Sequence, residues 1–139
     1  MRAGFQEPFT GRETEEIHSY MRILLVEDDL KVGGFLEVGL RGEAFLVDRA
    51  YDGEAALEMA AAGAYDLILL DYMLPKKNGV QVAEGIRARG QQTPILMLTA
   101  RDSDEDVRRG RAAGVNEYLS KPFKFDHVLN RIHALVGRS

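Results

Sequence analysis

Asp71 ends the run Asp66-Leu67-Ile68-Leu69-Leu70, and two more acids, Glu27 and Asp28, end the run Arg22-Ile23-Leu24-Leu25-Val26. Both runs are short, apolar and rich in β-formers. Each therefore reads as a buried parallel strand that delivers carboxylate at its C-terminal end. In open α/β sheets, ligands bind at the carboxyl ends of strands, where the strand order reverses. Acids that converge there need a cation. Their repulsion would otherwise raise at least one pKa, and an all-oxygen donor set of this hardness suits Mg²⁺ better than zinc or copper.

Two further strand ends supply the complement. Ile95-Leu96-Met97-Leu98 runs into Thr99-Ala100, and Tyr118-Leu119-Ser120 runs into Lys121-Pro122-Phe123. A hydroxyl and an ammonium at one edge are what an incoming phosphoryl group needs, one as a hydrogen-bond donor and one as a compact charge. The nucleophile would be a carboxylate, giving an acyl phosphate. Each residue also has a plainer use: Asp71 and Thr99 as caps, Tyr118 as a half-buried sheet aromatic, Lys121 as a surface lysine. Asp29 is the better capping candidate, because it immediately precedes the first helix. His18, His127 and His133 lack ligand spacing and read as surface residues.

The elements that must hold these groups alternate five times from Met21 onward, a short apolar run followed by a longer amphipathic stretch. That is the pattern of a doubly wound α/β fold. Strands are predicted near 22–27, 45–50, 66–71, 94–99 and 116–120. Helices are predicted near 30–41, 54–62, 80–89, 104–113 and 124–136. Gly53, Gly63, Gly79, Gly90 and Gly114 fall at helix boundaries, where positive φ or a tight turn is useful. Gly33 and Gly34 do not. Inside the first helix each should cost roughly 1 kcal/mol relative to Ala, so that helix is either locally weak or closely approached by a neighbour.

With 139 residues, 45% of them hydrophobic, the chain suits one well-packed core. Residues 1–20 show no clear period and read as a flexible N-terminal extension ahead of a domain over 21–138, with Glu13 to Tyr20 able to form one short helix. Met21 is a second candidate start. A net charge of −4 and a pI near 5.4 argue against nucleic-acid binding by this chain itself. Cysteine is absent, which excludes a disulfide scaffold and a thiolate metal site. No stretch approaches a membrane span or a signal peptide's apolar segment, so a soluble cytoplasmic protein is expected.

Four motifs, MRILLVEDD, DLILLDYMLP with Lys76-Lys77-Asn78-Gly79, ILMLTAR and EYLSKPF, occur in the order and spacing of a receiver domain of a two-component response regulator. The resemblance runs from Met21 to about Arg138. It implies a flavodoxin-like (βα)5 fold whose five-stranded parallel sheet has the order 2-1-3-4-5. It implies that Asp71 is the phosphoacceptor. It also implies that Asp28 contacts Mg²⁺ directly, Glu27 acts through water, and the Met73 backbone carbonyl adds a ligand. Thr99 resembles the switch hydroxyl, Tyr118 the switch aromatic and Lys121 the phosphate-pairing lysine, followed by a cis Lys121-Pro122 bond. The implied donor is a partner sensor histidine kinase. The domain would assist its own phosphorylation and dephosphorylation without being an enzyme in the usual sense.

The residues after Lys121 look most like receivers of the OmpR/PhoB type, which precede a winged-helix DNA-binding domain absent from this chain. A stand-alone receiver acting through protein contacts is the alternative. The subfamily likeness implies a phosphorylation-dependent homodimer through the fourth helix, fifth strand and fifth helix, with Arg131 and Glu117 pairing across it. A second pair would place a basic residue at Val107 and an acidic one at His127, and neither charge is present. Arg108, Arg109 and Arg111 make the fourth helix basic instead, so a weaker or re-registered dimer is expected, with Tyr118 turning inward behind Thr99 on activation. An aspartyl-nucleophile phosphatase normally carries a second acid two positions after the nucleophile, where this chain has Met73. A flavodoxin-type cofactor domain would need a phosphate-cradling first loop, which Glu27-Asp28-Asp29 would repel.

Overall fold

The computed structural model describes residues 20–137. The expectation of a flexible 1–20 segment therefore lies outside the described residues, Tyr20 excepted, which is exposed. The apolar runs form strands β1 (Arg22–Val26), β2 (Leu46–Ala50), β3 (Leu67–Leu70), β4 (Ile95–Thr99) and β5 (Glu117–Ser120). Between and after them lie helices α1 (Leu30–Gly42), α2 (Gly53–Ala62), α3 (Gly79–Ala88), α4 (Asp104–Ala113) and α5 (Phe125–Val136). These bounds differ from the sequence-predicted ones by a residue or two. The differences fall at both strand and helix ends, where terminal residues pass from the regular hydrogen-bond pattern into a loop or cap.

All pairings are parallel, in the order β2-β1-β3-β4-β5. β3 and β4 are buried along their full length and β1 from Ile23 on, as strands covered on both faces must be. Alternate side chains divide the core in two. Leu24, Val26, Ile68, Leu70, Ile95 and Met97 pack with Ala56 and Ala60 of α2 and Val80, Val82, Ala83 and Ile86 of α3. On the other face Ile23, Leu25, Leu67, Leu69, Leu96 and Leu98 pack with Leu36 and Leu40 of α1 and Val128 and Ile132 of α5.

Local chemistry starts and stops the helices. The Asp29 carboxylate accepts hydrogen bonds from the Lys31 and Val32 N–H groups, so it caps α1 as the sequence suggests. Asn78 and Gln81 form a reciprocal capping box at α3, and Ser103 caps α4. Gly114 ends α4 at φ 108°, a conformation that an L-residue with a Cβ adopts only with strain. Gly79 serves a different need. A Cβ there would lie 2.5 Å from the Asp71 carbonyl oxygen, so the missing side chain is what lets α3 start against the end of β3.

Candidate functional site

The register brings the acids together. Val26 pairs with Leu70, so the next residues, Glu27 and Asp71, leave adjacent strands at the same level. They do so between β1 and β3, where the strand order reverses. Carboxylate oxygens of Glu27, Asp28 and Asp71 all lie within 4.8 Å of one another. Glu27 and Asp71 are buried at 2% and 7% exposure, while Asp28 faces solvent.

Thr99 pairs with Ser120 at the ends of β4 and β5, which sets Lys121 beside the acids. Its Nζ donates to Glu27 Oε1 and to Asp71 Oδ2, each at 3.1 Å. The Lys121-Pro122 bond is cis, as the resemblance implied. Burial, then the Asp71 charge, pushes the Glu27 carboxyl above its ordinary value, although the Asp29 N–H and Lys121 pull the other way. Burial works against the Lys121 ammonium, but the charges of Asp71 and Glu27 outweigh it and hold its pKa above the ordinary value. Lys121 thus occupies part of the place of a cation without satisfying all three acids. Oxygen-only donors of this charge and spacing fit a hard divalent ion.

The remaining predicted residues are placed less directly. Thr99 is fully buried, and its Oγ1 accepts from the Arg101 N–H at 3.0 Å. The Met73 N–H points to Asp71 Oδ1 at 3.4 Å, and its side chain is exposed. Tyr118 is half-buried. Its hydroxyl donates to the Asp106 carbonyl at 3.0 Å and lies where a side chain at Gly110 would stand, so this ring is packed onto α4. Glu117 and Arg131, expected to pair between molecules, are engaged within the chain. Glu117 takes Arg111 at 3.3 Å and Arg131 at 4.0 Å, while Arg131 also donates to the Tyr118 carbonyl at 2.9 Å.

Arg101 is the residue that sequence reasoning missed. Its guanidinium stacks 4.8 Å from the Tyr72 ring centroid and donates to Asp106 Oδ1 at 3.2 Å. Backbone and side chain together tie Thr99 to the first turn of α4. The hydrogen bond from Ser103, with Arg101 beside it, holds the Asp106 carboxyl below its usual value. Arg101, Asp28, Met73 and Asn78 share the wall of a hollow of about 400 Å³. On the other side of Lys121 an apolar cleft of about 600 Å³ is lined by Val32, Phe35, Pro122 and Phe123.

Residues 23–133 match the family described as the response regulator receiver domain. The chain belongs to that family. This receiver domain is 41% identical over 119 residues to the transcriptional regulatory protein DltR of Streptococcus agalactiae, an alignment covering 86% of the chain and 53% of the relative. It is 44% identical over the same length to the transcriptional regulatory protein CiaR of Streptococcus pneumoniae, again 86% and 53%. The chain therefore spans about half the length of the relatives it matches. These names accord with the OmpR/PhoB likeness. Among solved structures, the receiver domain of sensor histidine kinase PA1611 from Pseudomonas aeruginosa, with a magnesium ion coordinated in its active-site cleft, aligns at TM-score 0.79. It has 35% identity over 86% of this chain and 99% of that one. A Francisella response regulator receiver domain aligns at TM-score 0.80 with 30% identity, covering 84% and 97%.

Proposed function

We propose that Asp71 accepts a phosphoryl group from a phosphohistidine of a sensor kinase. An Asp71 carboxylate oxygen attacks phosphorus, the phosphorus–nitrogen bond breaks, and the electron pair returns to the imidazole, which takes a proton. The observation that carries this reading is the Asp71 carboxylate itself, 7% exposed, hydrogen-bonded to Lys121 and grouped with two more acids. Asp28, Asp71 and the Met73 carbonyl would hold Mg²⁺ directly and Glu27 through water. Bound there, the ion would neutralise negative charge on the phosphoryl oxygens. Lys121 would turn from Asp71 to a phosphoryl oxygen, and Thr99 would supply a hydroxyl donor.

The phosphoryl group ends on the protein, so the domain assists one transfer and its reversal. The thioether of Met73 offers no proton to a leaving group, which favours this over a multiple-turnover phosphatase. The apolar cleft between Phe35 and Phe123 opens beside Lys121 and gives a donor protein a surface to rest on. The output we infer is transcription, through a DNA-binding segment outside this chain. Support comes from relatives named as transcriptional regulatory proteins and from the acidic balance of the chain. Dimerisation through α4, β5 and α5, with Arg131 and Glu117 exchanging partners, would couple the two. We assign the domain to the cytoplasm because its relatives are named as transcriptional regulatory proteins; among the described residues no helix is long and apolar enough to cross a membrane.

Incubation with Mg²⁺ and acetyl phosphate should add one phosphoryl group per chain, labile to base and hydroxylamine. Asp71→Asn should abolish it. Labelling of that variant at the wild-type rate and extent would overturn the assignment.

A further inference from the structure

One arginine is largely enclosed behind the acidic pocket, with one of its N–H groups left without a hydrogen-bond partner among the described residues. Arg49 lies on the edge strand β2 with its side chain 10% exposed. Its Nη1 donates to Glu37 Oε1 at 3.2 Å and its Nη2 to the Glu27 carbonyl oxygen at 3.2 Å. The guanidinium carbon sits 4.5 Å from the Tyr51 ring centroid. Its Nε is buried with no protein partner among the described residues. The room comes from α1: a Cβ at Gly33 would strike the Arg49 guanidinium, whereas one at Gly34 would meet nothing within 4 Å. A glycine that weakens the first helix thus opens a passage for a cation to reach the backbone of Glu27.

We propose that Arg49 is a positioning residue for Glu27: by gripping the Glu27 carbonyl through the gap at Gly33, it fixes the exit of β1 and so the carboxylate in the pocket. The proposal rests on the reading of that pocket as a Mg²⁺ site. Two side-chain contacts hold the other end of the residue, where Oε2 accepts from the Asp29 N–H and Oε1 from Lys121, each at 3.1 Å. Glu37 pairs with the Arg49 guanidinium but also takes Arg41, so the positive charge behind the pocket is only partly offset, and charge and geometry make opposite contributions. The sign separates the two accounts. Acting as a charge, Arg49 would repel the ion, and its removal would tighten binding. Acting as a support, its removal loosens binding.

The test is Mg²⁺ titration calorimetry on the whole chain, with metal-free stability measured separately by urea unfolding. Arg49→Met should weaken Mg²⁺ binding measurably, by less than the roughly 10–100-fold typical of a group that touches a metal ligand directly, because Glu27 itself would act through water. Gly33→Ala keeps the charge but crowds the guanidinium, and should also weaken it; this variant decides the matter if Arg49→Met does not fold. In a Glu27→Ala background, Arg49→Met should cost nothing further in Mg²⁺ affinity, because there is no carboxylate left to position. Unchanged or tighter binding in a folded Arg49→Met or Gly33→Ala variant, or additive losses in the double variant, would overturn the proposal. Undiminished binding in Asp28→Ala would instead remove the metal site itself.

Discussion

Replacing Lys121 with Met removes the one ammonium that bridges Glu27 and Asp71 while keeping the length of its stem. Each 3.1 Å contact is worth about 5 kcal/mol of gross attraction at an effective dielectric near 20, most of it offset by desolvation of the three groups. Removing one partner from a buried pair costs about 3–5 kcal/mol, and the 25% exposure of Lys121 brings that to about 2–3 kcal/mol. In a domain of this size that lowers Tm by about 10 °C in EDTA. Mg²⁺ should then close much of the gap. All three acids remain, and one competing cation is gone, so the variant binds the ion more tightly and gains more from it at a fixed concentration. For scale, an ion at 100 times its Kd adds about 2.7 kcal/mol. Thermal unfolding followed by circular dichroism, with EDTA and with saturating Mg²⁺, reads both quantities. Because the folded-state pKa of Lys121 is raised, its contribution is complete below the ordinary value of 10.5 and is lost as pH rises through the folded value. An equal Tm deficit with and without Mg²⁺ would show that Lys121 matters only as packing, and a metal-free variant more stable than wild type would show that its desolvation outweighs its attraction.

Asp28→Ala should weaken Mg²⁺ binding by at least the roughly 10–100-fold that outer partners cost, whereas Asp29→Ala should lower stability by removing the α1 cap with Mg²⁺ affinity intact; equal affinity losses in calorimetry would erase the distinction between ligand and cap. Glu27, with its pKa raised by burial and by Asp71, binds its proton more tightly folded than unfolded, so metal-free stability falls as pH rises from 4.5 through the folded value. Glu27→Gln should flatten that fall in urea unfolding across the acidic range, and a slope as steep as wild type would refute the cause. Sedimentation with beryllofluoride should show a dimer that Arg131→Ala weakens; a dimer undiminished in that variant would reject the named contact.

What the sequence made legible depended on whether a feature repeats or stands alone. The central strands could be read because each is an uninterrupted apolar run, and the helices because a longer amphipathic stretch follows each strand, bounded in most cases by glycine. Once β1 and β3 were taken as parallel neighbours, the meeting of Glu27, Asp28 and Asp71 followed. Gly33 was legible as a cost or as a place of close approach, but which neighbour approaches, and that Gly34 lacks one, was not. The reason for Gly33 is a side chain on β2, 16 residues further along the chain, and no periodicity links the two. Arg101 stood in a quoted motif without a role, because stacking on Tyr72 and reaching Asp106 depend on how β3 and α4 are placed in space. Glu117 and Arg131 were read as partners between molecules, and the fold adds what sequence spacing does not show, that both already have partners at home.

The strand that carries Tyr118 and leads into Lys121 is also the least covered in the sheet. None of the four residues of β5 is fully buried, against every residue of β3 and β4, and it has a neighbour on one side only. Its amides should have the lowest opening free energy of the sheet, close to that of the loops around it. If Asp71 takes the phosphoryl group as proposed, the change would not have to disturb the central strands to be felt outside. A change in β5 would act on the least covered margin of the sheet and leave in place the buried strands that hold the acids.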